Sequence, residues 1–199
     1  MSKTHHVIYI PGLDDQRKGY ELIINCWKIY GVSPRVYRIG WKDGNNDFKP
    51  KLEKLVKEIN VLIKQGNIVS LVGGSAGGSA ALNALIEQPK INAVVNLCGR
   101  LRAGINVYPS LEKASSKSTS FKQSVNLFEK RESTMSKNQR SKVLTLSPFW
   151  DEVVPISTIT ISGAVNRILP SVGHMVTGFL GMTILSPLVI GFIKQKAKE

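Results

Sequence analysis

Three side chains in this sequence have the types and order needed to break an acyl bond. Gly73-Gly74-Ser75-Ala76-Gly77-Gly78 fits G-x-S-x-G and falls between an apolar run, Ile68 to Val72, and a helix-forming run from about Ala76 to Glu87. A serine at such a turn stands exposed at the head of a helix, where backbone N–H groups favour a developing negative charge. Its neighbours must be small for strand and helix to approach, and Gly73 and Gly77 are. The competing readings are a flexible glycine loop or a phosphate cradle. The turn lacks the Gly-Lys-Ser/Thr ending of a P-loop, and a dinucleotide fingerprint belongs at the first strand-turn of a chain.

A serine hydroxyl needs a base. Of three histidines, His5 and His6 stand at the first apolar run, while His174 follows the last strand-like run in Gly173-His174-Met175. The base in turn needs a buried acceptor that fixes its tautomer. The acids between Ser75 and His174 are Glu87, Glu112, Glu129, Glu132, Asp151 and Glu152, and only the last two directly follow an apolar strand-like run. Asp151 is the candidate acid, Glu152 the fallback, and an ordinary turn residue the plain alternative. Cys98 ends a strand-like run without a glycine elbow or a neighbouring base, and reads as a buried thiol.

Alternating elements must position these groups. The runs His5–Ile10, Arg35–Ile39, Ile68–Val72, Asn92–Leu97, Val143–Leu146 and Val165–Leu169 read as strands, many closed by Gly or Pro. Between them, Tyr20, Ile23, Ile24 and Trp27 recur at helical spacing. From Phe48 to Lys64, Leu52, Leu55, Val56, Ile59, Leu62 and Ile63 form an apolar face with lysines opposite. Such alternation predicts an α/β protein with a mostly parallel sheet covered on both faces. From 101 to 141 the rhythm breaks into a polar, serine-rich, basic insertion with weak helical periodicity at Phe121, Val125 and Phe128. A last apolar stretch, Met175–Ile193, ends in Lys194, Lys196 and Lys198. Gly178, Gly181 and Pro187 interrupt it, and its strictly apolar part falls short of the ~18 residues of a membrane span, which predicts a buried terminal helix.

At 199 residues, 42% hydrophobic and 21% charged, the chain suits one globular domain over 1–199 with the insertion inside it. Cys26 and Cys98 are too few for a disulfide framework or a four-cysteine metal site and are expected as reduced, buried thiols. The apolar run Val7–Pro11 is shorter than a signal peptide's hydrophobic region, so a cytoplasmic location is expected. The formal charge of +13 favours weak association with anionic surfaces, or is a solvated basic face; the chain carries no nucleic-acid module, and no nucleic acid is expected as partner.

The order of elements, the elbow around Ser75, Asp151-Glu152-Val153-Val154-Pro155 and Gly173-His174 together resemble the α/β-hydrolase superfamily over nearly the whole chain. The resemblance implies the α/β-hydrolase fold with 101–141 as a short helical cap, and a triad of Ser75, Asp151 and His174. It also implies an oxyanion hole from the N–H groups of Leu13 and Ala76. Many members carry His-Gly in the first loop where this chain has Pro11-Gly12-Leu13; Asp14 and Asp15 then solvate the turn. Leu101, Tyr108 and Phe121 become candidates for substrate contact, with core or cap packing as the alternative. The implied activity is a serine esterase, a carboxylic ester hydrolase acting without metal or cofactor on a small-molecule or lipid-like acyl substrate. Thioester or amide cleavage, acyl transfer to an alcohol, and a non-catalytic protein that binds an anionic partner through its basic cap stay open beside it.

Overall fold

The computed structural model describes residues 3–199, and among these the sheet has six strands, all parallel, in the order β2-β1-β3-β4-β5-β6. They are β1 (His5–Ile10), β2 (Ser33–Val36), β3 (Ile68–Gly74), β4 (Val94–Leu97), β5 (Val143–Ser147) and β6 (Val165–Ile168). The helices are α1 (Tyr20–Ile24), α2 (Phe48–Lys64), α3 (Gly77–Glu87), α4 (Leu111–Ala114), α5 (Thr119–Arg131), α6 (Lys137–Ser141), α7 (His174–Met182) and α8 (Ser186–Lys196).

Alternate residues of the strands feed two cores. Ile8, Ile10, Leu71 and Val94 pack under α2, α3 and α5, while Val7, Tyr9, Val72 and Val95 pack with Ile24 and Trp27 on one side and Val189, Ile190 and Ile193 of α8 on the other. Each such side chain, moved fully out of water, contributes about 1.5–3 kcal/mol before the entropy of ordering it is counted. Both faces of the central strands are therefore apolar, which is why they appear in the sequence as continuous hydrophobic runs.

The chain leaves β1 toward β2 on one side and returns to add β3 on the other, so strand order reverses between β1 and β3. That switch point lies at the carboxyl ends of those two strands, the place where ligands bind in open α/β sheets. The loops after β1 and β3 carry Leu13 and Ser75.

Several local readings change. Residues 17–30 form only the short α1 followed by a 3-10 turn over Asn25–Tyr30. In that turn Trp27 points inward and Cys26 outward, so Cys26 is an exposed thiol and not a buried one. β2 lies two residues earlier than the run that suggested it. The lysine face of α2 has one exception: Lys51 is buried, with Nζ donating to Gly40 O (2.6 Å) and to both carboxylate oxygens of Asp43 (2.6 and 2.7 Å). The last apolar stretch is two helices, α7 and α8, meeting at 57°. The break sits at Thr183–Leu185, just before Pro187, whose missing N–H is harmless in a first helical turn but not inside a continuous helix. α8 buries its inner face, whereas α7 leaves Met175, Val176 and Phe179 exposed. Among the described residues no single helix is long and apolar enough to cross a membrane.

Within 101–141, α5 lies against α3 and α2. Phe121, Val125 and Phe128 join the core there, and Ser79 Oγ meets Ser124 Oγ at 2.7 Å. Arg100, itself buried, donates to the carbonyl oxygens of Arg102 (3.0 Å), Ala103 and Pro109 (2.7 Å) and so ties down the loop leading into this segment.

Candidate active site

Ser75 holds φ at +52°, a left-handed conformation that costs a residue with a Cβ roughly 1–2 kcal/mol. The fold enforces it through Ser75 N–H donating to Leu97 O (2.9 Å) and Gly78 N–H donating to Ser75 O (2.9 Å). A Cβ on Gly73 would run into the Gly77 backbone, and one on Gly77 into the carbonyl of Ile10, so these two positions admit only glycine. Asn96 completes the support: its Nδ2 donates to Gly99 O (2.9 Å), and its side chain fills the space that Cβ atoms on Gly78 and Gly99 would claim.

The loops after β5 and β6 extend the sheet by a few residues. Phe149 N–H donates to Ser171 O (3.0 Å), Gly173 N–H to Trp150 O (2.9 Å), and Trp150 bridges Val172 in parallel register. This pairing brings Asp151 beside His174, the first residue of α7. His174 Nε2 lies 2.8 Å from Ser75 Oγ, and Nδ1 lies 2.8 Å from Asp151 Oδ2. The Asp151 side chain is fully buried and its other oxygen accepts the N–H groups of Val153 (2.9 Å) and Val154 (2.8 Å). Two backbone donors hold the carboxylate in place and satisfy the lone pairs that burial takes from water.

Glu152 does not reach the ring. Its carboxylate accepts the backbone N–H of His174 (3.0 and 3.2 Å), placing a negative charge at the amino end of α7. The two acids thus divide the histidine between them, one on the ring and one on the backbone. Neither residue type nor spacing announced this division; only the paired loops produce it.

The loop after β1 borders the hydroxyl. A Cβ on Gly12 would come within 2.9 Å of Ser75 Cβ and 3.3 Å of Oγ, so Leu13 follows backbone that touches the serine, and Ala76 lies buried beyond it at the head of α3. Asp15 does more than solvate the turn. It is buried and accepts from Gly40 N–H (2.5 Å) and Trp41 N–H (3.3 Å), while Trp41 Nε1 donates to Pro11 O (3.1 Å). Asp15 and Trp41 pin the first loop to the chain after β2. A sequence gives no sign of this, because the partners are more than 20 residues apart.

Of the other candidates, Leu101 and Phe121 belong to the core, and Tyr108 faces outward with the Lys113 ammonium 4.5 Å from its ring centre. Cys98 is buried, and burial together with Asp151 and Glu152 pushes its thiol far up, which leaves it inert as a nucleophile. No group of three or more His, Cys, Asp or Glu side chains able to hold a metal ion occurs among the described residues.

No family model matches the sequence, and no curated protein matches it. Solved structures do. One from the pair LipS and LipT, metagenome-derived lipolytic enzymes, is 12% identical with a TM-score of 0.68 over 97% of this chain and 94% of its own. The α/β hydrolase GrgF from Penicillium is 12% identical, TM-score 0.67, over 98% and 91%. Est1E from Butyrivibrio proteoclasticus is 12% identical, TM-score 0.63, over 99% and 90%. The chain has the α/β-hydrolase fold.

Proposed function

We propose that the protein is a serine hydrolase that cleaves a carboxylic ester or thioester of a small to medium acyl substrate through an acyl-enzyme. The observation that carries this reading is the unbroken line Ser75 Oγ, His174 Nε2, His174 Nδ1, Asp151 Oδ2, with 2.8 Å at both contacts. The ring nitrogens are then assigned by their partners: Nδ1–H donates to Asp151, leaving Nε2 to accept the serine proton.

Ser75 Oγ attacks the acyl carbon as His174 takes its proton, and the carbonyl oxygen becomes an oxyanion facing the N–H groups of Leu13 and Ala76. The tetrahedral intermediate collapses, the C–O or C–S bond breaks, and the leaving alcohol or thiol takes the proton from His174. Water, deprotonated by the same ring, then attacks the acyl-enzyme and releases the acid, restoring Ser75–OH. Asp151 stabilises the imidazolium formed in both halves without itself being protonated. Each step is closed by the chain's own groups, with no cofactor in the scheme. Two unpaired thiols, Cys26 and Cys98, suit a reducing compartment, and we place the protein in the cytoplasm.

A fluorophosphonate probe tests the nucleophile. The wild type should be labelled at Ser75 and the folded Ser75→Ala variant should not. Absence of labelling on folded wild-type protein would leave a hydrolase-fold binding protein as the better reading.

A further inference from the structure

From Ile168 to Ile193 the chain runs 26 residues without an Asp, Glu, Lys or Arg, in a protein where 21% of residues are charged. Such a run is ordinary if buried, but only part of this one is. Val172, Met175, Val176, Phe179 and Ile184 are exposed, Phe179 by 52% and Ile184 by 73%, and Trp150, 58% exposed, is bridged to Val172. Neither α7 nor α8 is long enough to cross a membrane, the two meet at 57°, and α8 is already committed to the core. What remains is an outward apolar face on α7 and the Ile184 turn after it, with a tryptophan at its border.

We infer that this face docks on an anionic lipid surface, with α7 lying in the interface and not crossing it. Charge decides the occupant. A second copy would bring another +13 toward the first, whereas a bilayer with anionic headgroups attracts that charge and accepts the apolar side chains. Indole rings favour the boundary between headgroups and acyl chains, where Trp150 would sit. Because α7 starts at His174, docking sets the mouth of the candidate site against the lipid. Where the reading of Ser75 as nucleophile holds, this makes the substrate an amphiphilic ester drawn from the lipid phase. The docking itself does not depend on that reading.

The test uses sedimentation of the full chain with vesicles of phosphatidylcholine alone or mixed with phosphatidylglycerol, in low and high salt. About tenfold more protein should sediment with the anionic vesicles, and high salt should remove most of that gain. The double variant Phe179→Asp/Ile184→Asp should lose about tenfold in vesicle binding while keeping its melting temperature and its turnover of a soluble short-chain ester. Trp27 and Trp41 are buried, so a vesicle-induced blue shift of tryptophan emission should come from Trp150 and vanish in Trp150→Phe. Wild-type protein that stays in the supernatant with anionic vesicles overturns the inference. So does binding unchanged in the double variant, or a solution dimer that the double variant splits, which would assign the face to a second copy. Ser75→Ala separates the two readings: full vesicle binding without turnover is expected, and wild-type turnover by that variant would sink the hydrolase reading alone.

Discussion

Among the described residues two histidine–serine pairs stand at nearly the same distance, and they are very different. At the carboxyl edge of the sheet, His174 Nε2 stands 2.8 Å from Ser75 Oγ; toward the amino edge, His5 Nε2 stands 2.9 Å from Ser70 Oγ. Ser70 is a buried mid-strand residue that also accepts from Asn92 Nδ2 (3.0 Å), and its backbone is unstrained. His5 has no carboxylate on its ring. Burial, His6 and Lys194 together hold its pKa down at about 4. Ser75 instead occupies a left-handed turn at a helix head, and its histidine has the buried Asp151 behind it. A serine–histidine contact is therefore common structural mortar, and the surroundings turn one of the two into a candidate for chemistry: a buried carboxylate, a strained elbow and backbone N–H groups at the head of a helix.

The contrast can be broken most sharply at the serines. Ser75→Ala should lower kcat for p-nitrophenyl acetate by about 10⁴- to 10⁶-fold with little effect on folding, and His174→Ala by a similar factor. Ser70→Ala should keep kcat within about twofold and cost roughly 1–2 kcal/mol of stability in urea unfolding, since it orphans two hydrogen-bond partners. Equal kinetic losses at the two serines would erase the distinction between the two pairs. Asp151→Asn comes next, at about 10⁴-fold in kcat, because an amide keeps the shape but loses the charge that fixes the tautomer. Gly12→Ala should cost about 10²-fold, as its methyl displaces Ser75 by a fraction of an ångström to an ångström.

The smallest effect distinguishes the histidines by pH. The folded pKa of His5 is about 4 against 6.5 unfolded, so between those values the unfolded chain binds more protons. The stability this site retains above pH 6.5 is lost as pH falls toward 4 and changes no further below it. His5→Gln should flatten that slope in a series of melting temperatures while leaving the pH profile of turnover unmoved. A shifted activity profile in His5→Gln would couple two sites that the structure keeps at different ends of the sheet.

Much of this was legible because it is local. A parallel strand buried on both faces must be apolar throughout, so β1, β3, β4 and β5 stand out in the sequence. The elbow must have glycines at 73 and 77 because backbone passes within van der Waals contact there. The order Ser75, Asp151, His174 could be set out from which residues follow strand-like runs. The weaker readings failed where a neighbour distant in sequence decides. α1 is short and the following 3-10 turn shows Cys26 to solvent because only Trp27 finds a place in the core. Lys51 is buried because Gly40 O and Asp43 wait at the end of its side chain.

The sequence by itself determined the alternation of strand and helix, the glycine elbow and the three side chains offered for chemistry, since each follows from periodicity or from the steric demands of adjacent residues. Tertiary structure alone decided that Asp151 meets the ring of His174 while Glu152 takes its backbone, that Asp15 and Trp41 clamp the loop that carries Leu13, and that α7 turns its apolar face outward. Those outcomes rest on hydrogen bonds and packing between segments some 20 to 100 residues apart, and no local pattern encodes a distance across the sheet.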